Sequence, residues 1–292
     1  MEDAVSRWLI ETDILARLLA DTPDADRVIL DCSWYLPDVG KHAIDDFKVG
    51  HIPSAQFLDL TEVSDTASPY VNMLPEPKQF ASSVSALGIG KNTEVIIYDA
   101  GYVSARMWWM FRTFGHDRVR ILNGGWRKWV TEGYEIEIGS GTKVMAKTFP
   151  ENLIKGRVAT LETVWEAGLD DTAVIIDART AARFDGHEGS GYPGVASGYM
   201  PGAINTPWQL FFEPSPSYRF ISPDAARAIF SSQGVDLSRN IISTCGSGVT
   251  ASILVFMLEE IGHLNWVLYD GSWHEWGQHD DTIKLTKPHI SK

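Results

Sequence analysis

The sequence of this chain repeats itself, because five segments of its first half recur in the same order in its second half. Asp31 and Asp177 stand 146 positions apart, and Trp126 and Trp273 stand 147 positions apart. The matching segments, each from the first half and then from the second, are RVILDCSWY (27–35) with AVIIDARTA (173–181), VGHIPSAQFLDL (49–60) with ASGYMPGAINTPW (196–208), EVIIYDAG (94–101) with NIISTCGS (240–247), Gly115-His116 with Gly262-His263, and NGGWRKW (123–129) with YDGSWHEW (269–276). Since chance similarity rarely preserves both order and spacing, the repeat predicts a duplicated domain.

The repeat also sets the expected domain limits. We expect a first domain over residues 1–138, a linker over 139–156 and a second domain over 157–292. The linker sequence, GSGTKVMAKTFPENLIKG, is rich in glycine and lysine. A chain of 292 residues has room for two domains of ordinary size.

Each half has the pattern of an α/β domain. The short apolar runs RVIL, EVIIY, AVIID and NIIS lack alternation, which is typical of parallel strands covered on both faces. Amphipathic segments near 78–88, 104–114, 222–233 and 250–261 suit the covering helices. The predicted fold class is therefore α/β, with two tandem domains that each have a mostly parallel sheet and helices on both of its faces.

The segment CGSGVT, residues 245–250, places a thiol on a glycine-rich turn between a predicted strand and a predicted helix. A thiol in water is mostly protonated at neutral pH, so a nucleophilic cysteine needs an environment that favours its thiolate. A helix N-terminus and a run of backbone N–H groups from Gly246 to Thr250 supply one. Gly246 and Gly248 permit the close backbone approach that such a nest requires.

Packing is the alternative role for each cysteine, since cysteine is often buried. We favour a functional role for Cys245 because of its glycine-rich surroundings and the helix start. We favour packing for Cys32, which directly follows a strand core. The position of Cys245 in the repeat corresponds to Asp99, so only the second half carries this nucleophile.

Composition excludes several classes of function. The net charge of −13 argues against partners such as nucleic acids and anionic membranes. Two distant cysteines do not make a disulfide framework, so we expect a reducing, cytoplasmic location. No apolar run is long enough for a membrane span, and the acidic N-terminus is unlike a signal or transit peptide. We expect no metal site, because no Cys/His pair has ligand spacing.

The chain resembles the two-domain rhodanese-type sulfurtransferases over nearly its whole length. The segments that carry the resemblance are ILDCSWYLP, HIPSAQFLDL, SPYVNMLPEP and NGGWRKW for an inactive first domain, and IIDARTAARFDG, GYMPGAINTPW, CGSGVTAS and YDGSWHEWG for a catalytic second domain. The loop CGSGVT is similar to that of the 3-mercaptopyruvate-preferring members. Thiosulfate-preferring members tend to have basic residues where this chain has Gly246 and Ser247.

The resemblance implies that Cys245 takes a sulfur atom from 3-mercaptopyruvate as a persulfide, releases pyruvate and passes the sulfur to a thiol such as thioredoxin, or to cyanide. It implies no cofactor, and we expect a monomer. Arg183 matches an arginine that binds the substrate carboxylate, although a salt bridge is the alternative. The backbone of Gly246, Gly248, Val249 and Thr250 would line the substrate site, and we expect Arg179 to pair structurally.

The chain lacks one residue of this family pattern, and the role of a second residue, His51, has two interpretations. Many members have a second arginine downstream of the first, but GHEGSGYPGVASGY (186–199) has none, and His187 is the candidate substitute. His51 matches a first-domain histidine that would form a proton relay with Ser247 and a carboxylate, and packing between the domains is the equal alternative. The candidate carboxylates are Asp38, Asp45, Asp46 and Asp65.

Of three other candidate functions, one is disfavoured by the sequence and two remain. A cysteine phosphatase needs an arginine six residues after its cysteine, and Ala251 stands there instead. A thiosulfate:cyanide sulfurtransferase and a non-catalytic persulfide carrier use the same kind of loop, so both remain alternatives.

Overall fold

The computed structural model describes residues 6–21, 26–36, 39–142 and 144–288, and Asp38 lies outside these ranges. The described chain forms two compact units. The described residues before Ala67 belong to the first unit, together with Leu74–Ile154 and Glu213–Phe220. The second unit consists of Ala67–Met73, Lys155–Phe212 and the described residues from Ile221 onward. The limits 1–138 and 157–292 stay a prediction for the domain boundaries.

The two units have the same order of strands and major helices. In the first unit the elements are β1 (Leu9–Ile10), α1 (Thr12–Ala20), β2 (Arg27–Asp31), α2 (Ala43–Val49), β3 (Gln56–Phe57), α3 (Leu60–Val63), α4 (Pro77–Ala86), β4 (Glu94–Tyr98), α5 (Ser104–Thr113), β5 (Val119–Leu122) and α6 (Gly125–Thr131). In the second unit they are a 3-10 turn (Lys155–Arg157), β6 (Val158–Ala159), α7 (Leu161–Asp170), β7 (Val174–Asp177), α8 (Ala181–Phe184), β8 (Ile204–Asn205), a 3-10 turn (Trp208–Phe211), α9 (Pro223–Ser232), β9 (Ile241–Thr244), α10 (Ala251–Glu260), β10 (Trp266–Tyr269) and α11 (Ser272–Trp276).

Each unit has one five-stranded parallel sheet, in the order β1-β5-β4-β2-β3 or β6-β10-β9-β7-β8. The apolar runs identified in the sequence are the strands next to one another at the centre: β2 beside β4, and β7 beside β9. All residues of β7 and β9 are buried. The prediction of an α/β fold with two parallel sheets is therefore confirmed.

The helices begin where the sequence supplies starting signals, but two of them are not amphipathic. Ser222 precedes α9 and its hydroxyl accepts a hydrogen bond from the N–H of Ala225, while Pro223 occupies the first helical position. All ten residues of α5 and residues 251–259 of α10 are buried. The expectation of an exposed polar face was wrong for these two helices. Helix α10, ASILVFMLEE, is mostly apolar, whereas α5, SARMWWMFRT, has polar residues such as Arg106 and Arg112 that are themselves buried.

The strand order places a topological switch point at the centre of the second sheet. The chain passes from β7 to its neighbour β8 on one side, and from β9 to its neighbour β10 on the other side. Because parallel crossovers are right-handed, these two connections run over opposite faces of the sheet. Ligands of such sheets bind outside the carboxyl ends of the strands where the direction reverses. That position lies beyond β7 and β9, and Cys245 directly follows β9.

The two units also exchange short segments of chain. Ala67–Met73 from the first half belongs to the second unit, and Glu213–Phe220 from the second half belongs to the first unit. In the first unit, the N–H of Phe220 donates to the Oδ1 atom of Asn123 at 2.9 Å. The exchanged segments occupy nearly equivalent positions in the repeat, so each unit is completed by the other half of the chain.

None of the helices in the described ranges combines the length and apolarity that a membrane span requires.

Candidate active site

Cys245 is the first residue after β9, on a turn that leads into α10, as the sequence predicts. It carries a free thiol, and the residue is 2% exposed. Its backbone carbonyl accepts a hydrogen bond from the N–H of Trp273, and the carbonyl of Gly246 accepts one from the N–H of His274. The start of α11 therefore fixes the first two residues of the Cys245 loop, residues 245–250.

The side chain of Ser272 is hydrogen-bonded to the backbone of the same loop. Its hydroxyl oxygen accepts hydrogen bonds from the N–H groups of Cys245, at 3.2 Å, and Gly248, at 3.0 Å. The hydroxyl proton is donated to the carbonyl of Tyr269 at 2.8 Å. Ser272 has a φ of +49°, which is uncommon for a residue other than glycine. The hydroxyl thus closes the loop into a ring in which the backbone of Cys245 is immobilised.

The first unit contains the corresponding loop with a carboxylate in the place of the thiol. The carbonyl of Asp99 accepts from the N–H of Trp126, just as that of Cys245 accepts from Trp273. The carboxylate of Asp99 accepts hydrogen bonds from the N–H groups of Gly101, at 2.6 Å, Val103, at 2.6 Å, and Ser104. A loop of this type can therefore gather several backbone N–H groups around one anion.

The Cys245 loop is longer than its counterpart, and four of its N–H groups have no acceptor among the described residues. Four residues, 100–103, separate Asp99 from α5, whereas five residues, 246–250, separate Cys245 from α10. Gly248 accommodates the longer turn with a φ of +76°. Within the described residues, no acceptor is bonded to the N–H groups of 246, 247, 249 and 250, and the Cys245 sulfur is not among their partners.

A short segment from the first half of the chain covers Ser247. Asn72, in the exchanged segment Ala67–Met73, donates from its amide to the hydroxyl of Ser247 at 3.2 Å. Tyr70, in the same segment, lies edge-on to the ring of His274 and is hydrogen-bonded to Nε2 of His279 at 3.0 Å. The second unit thus receives part of the wall of its site from residues more than 170 positions away in the sequence.

Arg183 lies in α8 of the second unit and is half-buried. Its guanidinium packs on Gly191, where an added Cβ atom would lie 3.2 Å from Cζ. In the described part of the chain, no carboxylate forms an ion pair with this guanidinium. Arg179, in contrast, forms a buried pair with Asp177, with Nη2 at 2.6 Å from Oδ2, so its role is structural as expected. The assignment of Arg183 to the substrate carboxylate stays a prediction.

His51 lies in the first unit and is fully buried. Its ring stacks on Phe47 at 3.9 Å, and Nδ1 is 2.8 Å from the carbonyl of Phe47, so Nδ1 carries the proton. Nε2 is buried and is without a partner in the described residues. No carboxylate of the described chain is bonded to this imidazole, and Asp46 instead accepts from Tyr35. The relay with Ser247 stays a prediction.

The other candidate histidine lies at the surface. Nε2 of His187 is 3.3 Å from the carbonyl of Lys287, and the residue is exposed. This contact does not bring His187 to the Cys245 loop. Its substitution for the second arginine stays a prediction.

Sequence reasoning missed Ser272, Asn72 and Tyr192. A signal for Ser272 was present, because it stands 147 positions after Gly125 and so replaces a glycine of the first half by a residue with a hydroxyl. Asn72 lies within SPYVNMLPEP, a segment that carries the family resemblance, but its sequence position gave no sign of a contact with Ser247. Tyr192 had no signal in the sequence. Tyr192 packs against Gly246: a Cβ atom added to Gly246 would lie 3.1 Å from the hydroxyl oxygen of Tyr192.

A comparison with known protein families decides the identity of the fold. The family model described as a rhodanese-like domain matches residues 12–132 and again residues 160–279. The chain belongs to the rhodanese family. The duplication that the sequence predicts is thus a duplication of the rhodanese-like domain, and the Cys245 loop lies in its second copy.

Individual relatives place the chain among the sulfurtransferases of this family. The thiosulfate/3-mercaptopyruvate sulfurtransferase 2 of Arabidopsis thaliana is 37% identical over 275 residues, which are 87% of this chain and 80% of that protein. The 3-mercaptopyruvate sulfurtransferase of Homo sapiens is 38% identical over 252 residues, which are 85% of this chain and 84% of that protein. The crystal structure of SseA from Escherichia coli, a 3-mercaptopyruvate sulfotransferase, has a TM-score of 0.82 and 34% identity and covers 91% of this chain and 98% of its own. The chain is an enzyme of the sulfurtransferase class.

Proposed function

We propose that this rhodanese moves a sulfur atom from 3-mercaptopyruvate, through a persulfide on Cys245, to a thiol or cyanide acceptor, with release of pyruvate. The observation that carries the proposal is the set of N–H groups in the Cys245 loop that have no acceptor in the described residues, compared with the corresponding Asp99 loop, whose N–H groups bind a carboxylate. Backbone N–H groups aimed at a site of negative charge stabilise that charge without reorganisation. The loop therefore suits a sulfur anion, first as the thiolate and then as the persulfide.

The chemistry balances without an external oxidant or reductant. The thiolate of Cys245 attacks the sulfur of the donor, so an S–S bond forms and the C–S bond of 3-mercaptopyruvate breaks. The bonding electrons stay on carbon as the enolate of pyruvate, which takes up one proton. The proton that leaves the donor thiol balances this uptake, and the protein is left with an anionic persulfide. Attack on the outer sulfur by a thiolate or by cyanide then restores Cys245.

Arg183 is the proposed partner of the donor carboxylate. Its guanidinium has no competing carboxylate in the described residues, and it packs on Gly191, next to the Tyr192 ring that covers Gly246. A planar guanidinium can bind a carboxylate through two parallel hydrogen bonds. The backbone of Gly246, Gly248, Val249 and Thr250 is the proposed lining on the sulfur side of the donor.

Ser247 and His51 are the proposed relay that moves the thiol proton of the donor. Thiosulfate has no thiol proton, so a residue that only moves this proton should not affect the reaction with thiosulfate. A residue with a structural role should affect the reactions of both donors. Ser247→Ala and His51→Gln should each slow pyruvate release from 3-mercaptopyruvate and leave thiocyanate formation from thiosulfate and cyanide within twofold of the unmodified enzyme. Equal slowing with both donors would contradict the relay.

The deciding experiment compares the unmodified enzyme with Cys245→Ser. The unmodified enzyme should release pyruvate from 3-mercaptopyruvate, and donor-treated protein should gain about 32 Da on the peptide that contains Cys245. Cys32→Ser is the matched control, because Cys32 is fully buried and donates its thiol proton to the carbonyl of Tyr98. The proposal fails if Cys245→Ser turns over at a comparable rate or if the added mass lies elsewhere.

Two alternatives use the same loop and are outcomes of the same assays. The name of the Arabidopsis thaliana relative includes thiosulfate, so a thiosulfate:cyanide activity must be compared directly. A larger kcat/KM with thiosulfate than with 3-mercaptopyruvate would favour it. A single burst of pyruvate without sustained turnover in the presence of thioredoxin would favour a non-catalytic sulfur carrier. A cysteine phosphatase is disfavoured by Ala251, and an aryl-phosphate assay tests it.

We also propose thioredoxin as a thiol acceptor, a cytoplasmic location and a monomeric state. The two cysteines are both free, which suits a reducing compartment. The net charge of −13 supports the expectation that neither nucleic acid nor an anionic membrane is a partner. Light scattering coupled to size exclusion tests the monomer, fractionation tests the location, and hydrogen sulfide release with thioredoxin tests the acceptor.

A further inference from the structure

The hydroxyl of Tyr192 lies directly against the peptide that follows the nucleophile. A Cβ atom added to Gly246 would meet the hydroxyl oxygen of Tyr192 at 3.1 Å and its Cε2 atom at 3.3 Å. Even a methyl group at position 246 would therefore need Tyr192 to shift. The space that a side chain at 246 would fill, next to Cys245, is occupied by a phenol from another part of the second unit.

Both the backbone and the ring of Tyr192 make contacts that fix its position. Its backbone N–H donates to the hydroxyl of Ser190 at 3.1 Å, and that hydroxyl is within 3.0 Å of the carbonyls of Tyr192 and Val195. Its ring meets the ring of His274 edge to face, with a centroid distance of 4.8 Å and an interplanar angle of 85°. His274 is itself tied to the loop, because its N–H donates to the carbonyl of Gly246 at 2.8 Å. The position of the phenol is thus coupled to the position of the Cys245 loop.

Gly191, the residue before Tyr192, is in contact with the guanidinium of Arg183. All three terminal atoms of that guanidinium lie 3.2 to 3.3 Å from where a Cβ atom on Gly191 would be. Gly191 and Tyr192 are neighbours in the chain, so one dipeptide contacts the proposed carboxylate-binding cation with its first residue and the nucleophile loop with its second. Tyr192 is therefore the neighbour in sequence of the residue that Arg183 contacts, and it is itself in contact with the residue after Cys245.

We propose that Tyr192 is a specificity-determining residue, whose hydroxyl donates the second hydrogen bond to the carboxylate of the sulfur donor that Arg183 binds. This inference rests on the proposed function. One guanidinium and one neutral hydroxyl match a donor with a single carboxylate. A compact inorganic dianion gains no second positive charge from the neutral Tyr192 hydroxyl. Burial lowers the pKa of His274, so this imidazole adds no positive charge at neutral pH.

The test replaces the hydroxyl and keeps the ring. Tyr192→Phe preserves the edge-to-face contact with His274, and Tyr199→Phe is the matched control, since Tyr199 stacks on Phe184 in the same unit. With 3-mercaptopyruvate as the donor, KM should rise by about tenfold in Tyr192→Phe, because one hydrogen bond to a charged group is lost. With thiosulfate as the donor, KM should stay within twofold, and Tyr199→Phe should change neither value.

Two outcomes would overturn the inference. If Tyr192→Phe leaves KM unchanged when 3-mercaptopyruvate is the donor, the hydroxyl does not contact that donor. If KM rises to a similar extent with both donors, the hydroxyl acts on the loop and not on the carboxylate.

A binding measurement separates this inference from the proposed function. Pyruvate carries the same carboxylate and transfers no sulfur, so calorimetric titration of pyruvate reads the contact without turnover. Its Kd should weaken by about tenfold in Tyr192→Phe relative to the unmodified enzyme. If the unmodified enzyme binds pyruvate with this dependence but forms no persulfide from 3-mercaptopyruvate, the proposed function fails and the inference stands. Equal pyruvate affinity in the two proteins overturns the inference alone.

Discussion

The hydroxyl oxygen of Ser272 lies 3.2 Å from the backbone nitrogen of Cys245 and accepts its hydrogen bond. In the first unit, the position that corresponds to Ser272 is Gly125, which has a similar φ of +55°. An added Cβ atom at Gly125 would lie 2.5 Å from the carbonyl oxygen of Asp99. The two units therefore close the same loop in different ways: the first with a carboxylate in the loop, the second with a hydroxyl from α11.

Removing this hydroxyl should loosen the Cys245 loop. Ser272→Gly keeps the left-handed backbone accessible but leaves the N–H groups of Cys245 and Gly248 without their acceptor. We expect kcat for pyruvate release to fall by about tenfold or more, since small displacements of a reacting group reduce rates strongly. The free energy of unfolding should fall by about 1–3 kcal/mol. A kcat within twofold of the unmodified enzyme would contradict this role.

The carboxylate of Asp99 should be a major stabilising group of the first unit. Asp99→Ala leaves the N–H groups of Gly101, Val103 and Ser104 without their acceptor, and Val103 and Ser104 are buried. We expect the free energy of unfolding to fall by about 3 kcal/mol, measured by urea denaturation. Asp45→Ala is the control, because its exposed carboxylate pairs with Lys48 at 3.4 Å at the surface, and it should cost less than about 0.5 kcal/mol. Equal losses in the two variants would refute the assignment.

Asp31 should make stability depend on pH in the acidic range. Burial is the main cause that raises its pKa to about 6, with hydrogen bonds from Ser33 and Tyr98 opposing the shift. A carboxyl group whose pKa is higher in the folded chain binds more protons there, so stability decreases as pH rises from its unfolded pKa of 3.8 through about 6. The buried charge should cost about 3 kcal/mol above that range.

The variant Asp31→Asn isolates this effect from the other titrating groups. Its free energy of unfolding, minus that of the unmodified enzyme, should increase between pH 4 and pH 6.5 and then level off. Urea denaturation at several pH values measures the difference. A difference that stays constant over this range would show that Asp31 does not titrate with a raised pKa.

Arg183 should control the affinity for the donor. Because a charged, bidentate contact contributes more than a neutral hydrogen bond, Arg183→Ala should raise KM by about 100-fold when 3-mercaptopyruvate is the donor. Arg183→Lys should give an intermediate value, since an ammonium group keeps the charge but not the planar fork. Arg239→Ala is the control, because Arg239 pairs with the exposed Asp171. An unchanged KM in Arg183→Ala would rule out the carboxylate contact.

Much of the fold was predictable because it depends on local patterns. The apolar runs became the central strands β2, β4, β7 and β9, since residues without polar alternation must be covered on both faces. The glycine-rich turn placed Cys245 between a strand and a helix. Helix α10 was predicted at the correct place, but it was expected to be amphipathic and is almost fully buried. The periodicity of a sequence describes one helix by itself, whereas burial depends on everything packed around it.

The site beyond the Cys245 loop was less accessible to sequence reasoning. Its proposed contacts include Asn72, which reaches Ser247 from a segment of the other half, and Tyr192, which fills the space beside Gly246. Neither residue belongs to a motif with a fixed spacing from Cys245. Such contacts form only when strands and loops that are far apart in the chain become neighbours.

The sequence by itself determined the duplication, the α/β class and the placement of a single thiol on a strand–helix turn, because each of these follows from short-range patterns of polarity and backbone freedom. The tertiary structure decided what happens to the N–H groups of the two equivalent loops. In one they bind the carboxylate of Asp99. In the other Ser272 accepts from two of them, and four have no acceptor within the described part of the chain. The physical reason is that a hydrogen bond depends on the position of both partners in space, and here the partner comes from a different element.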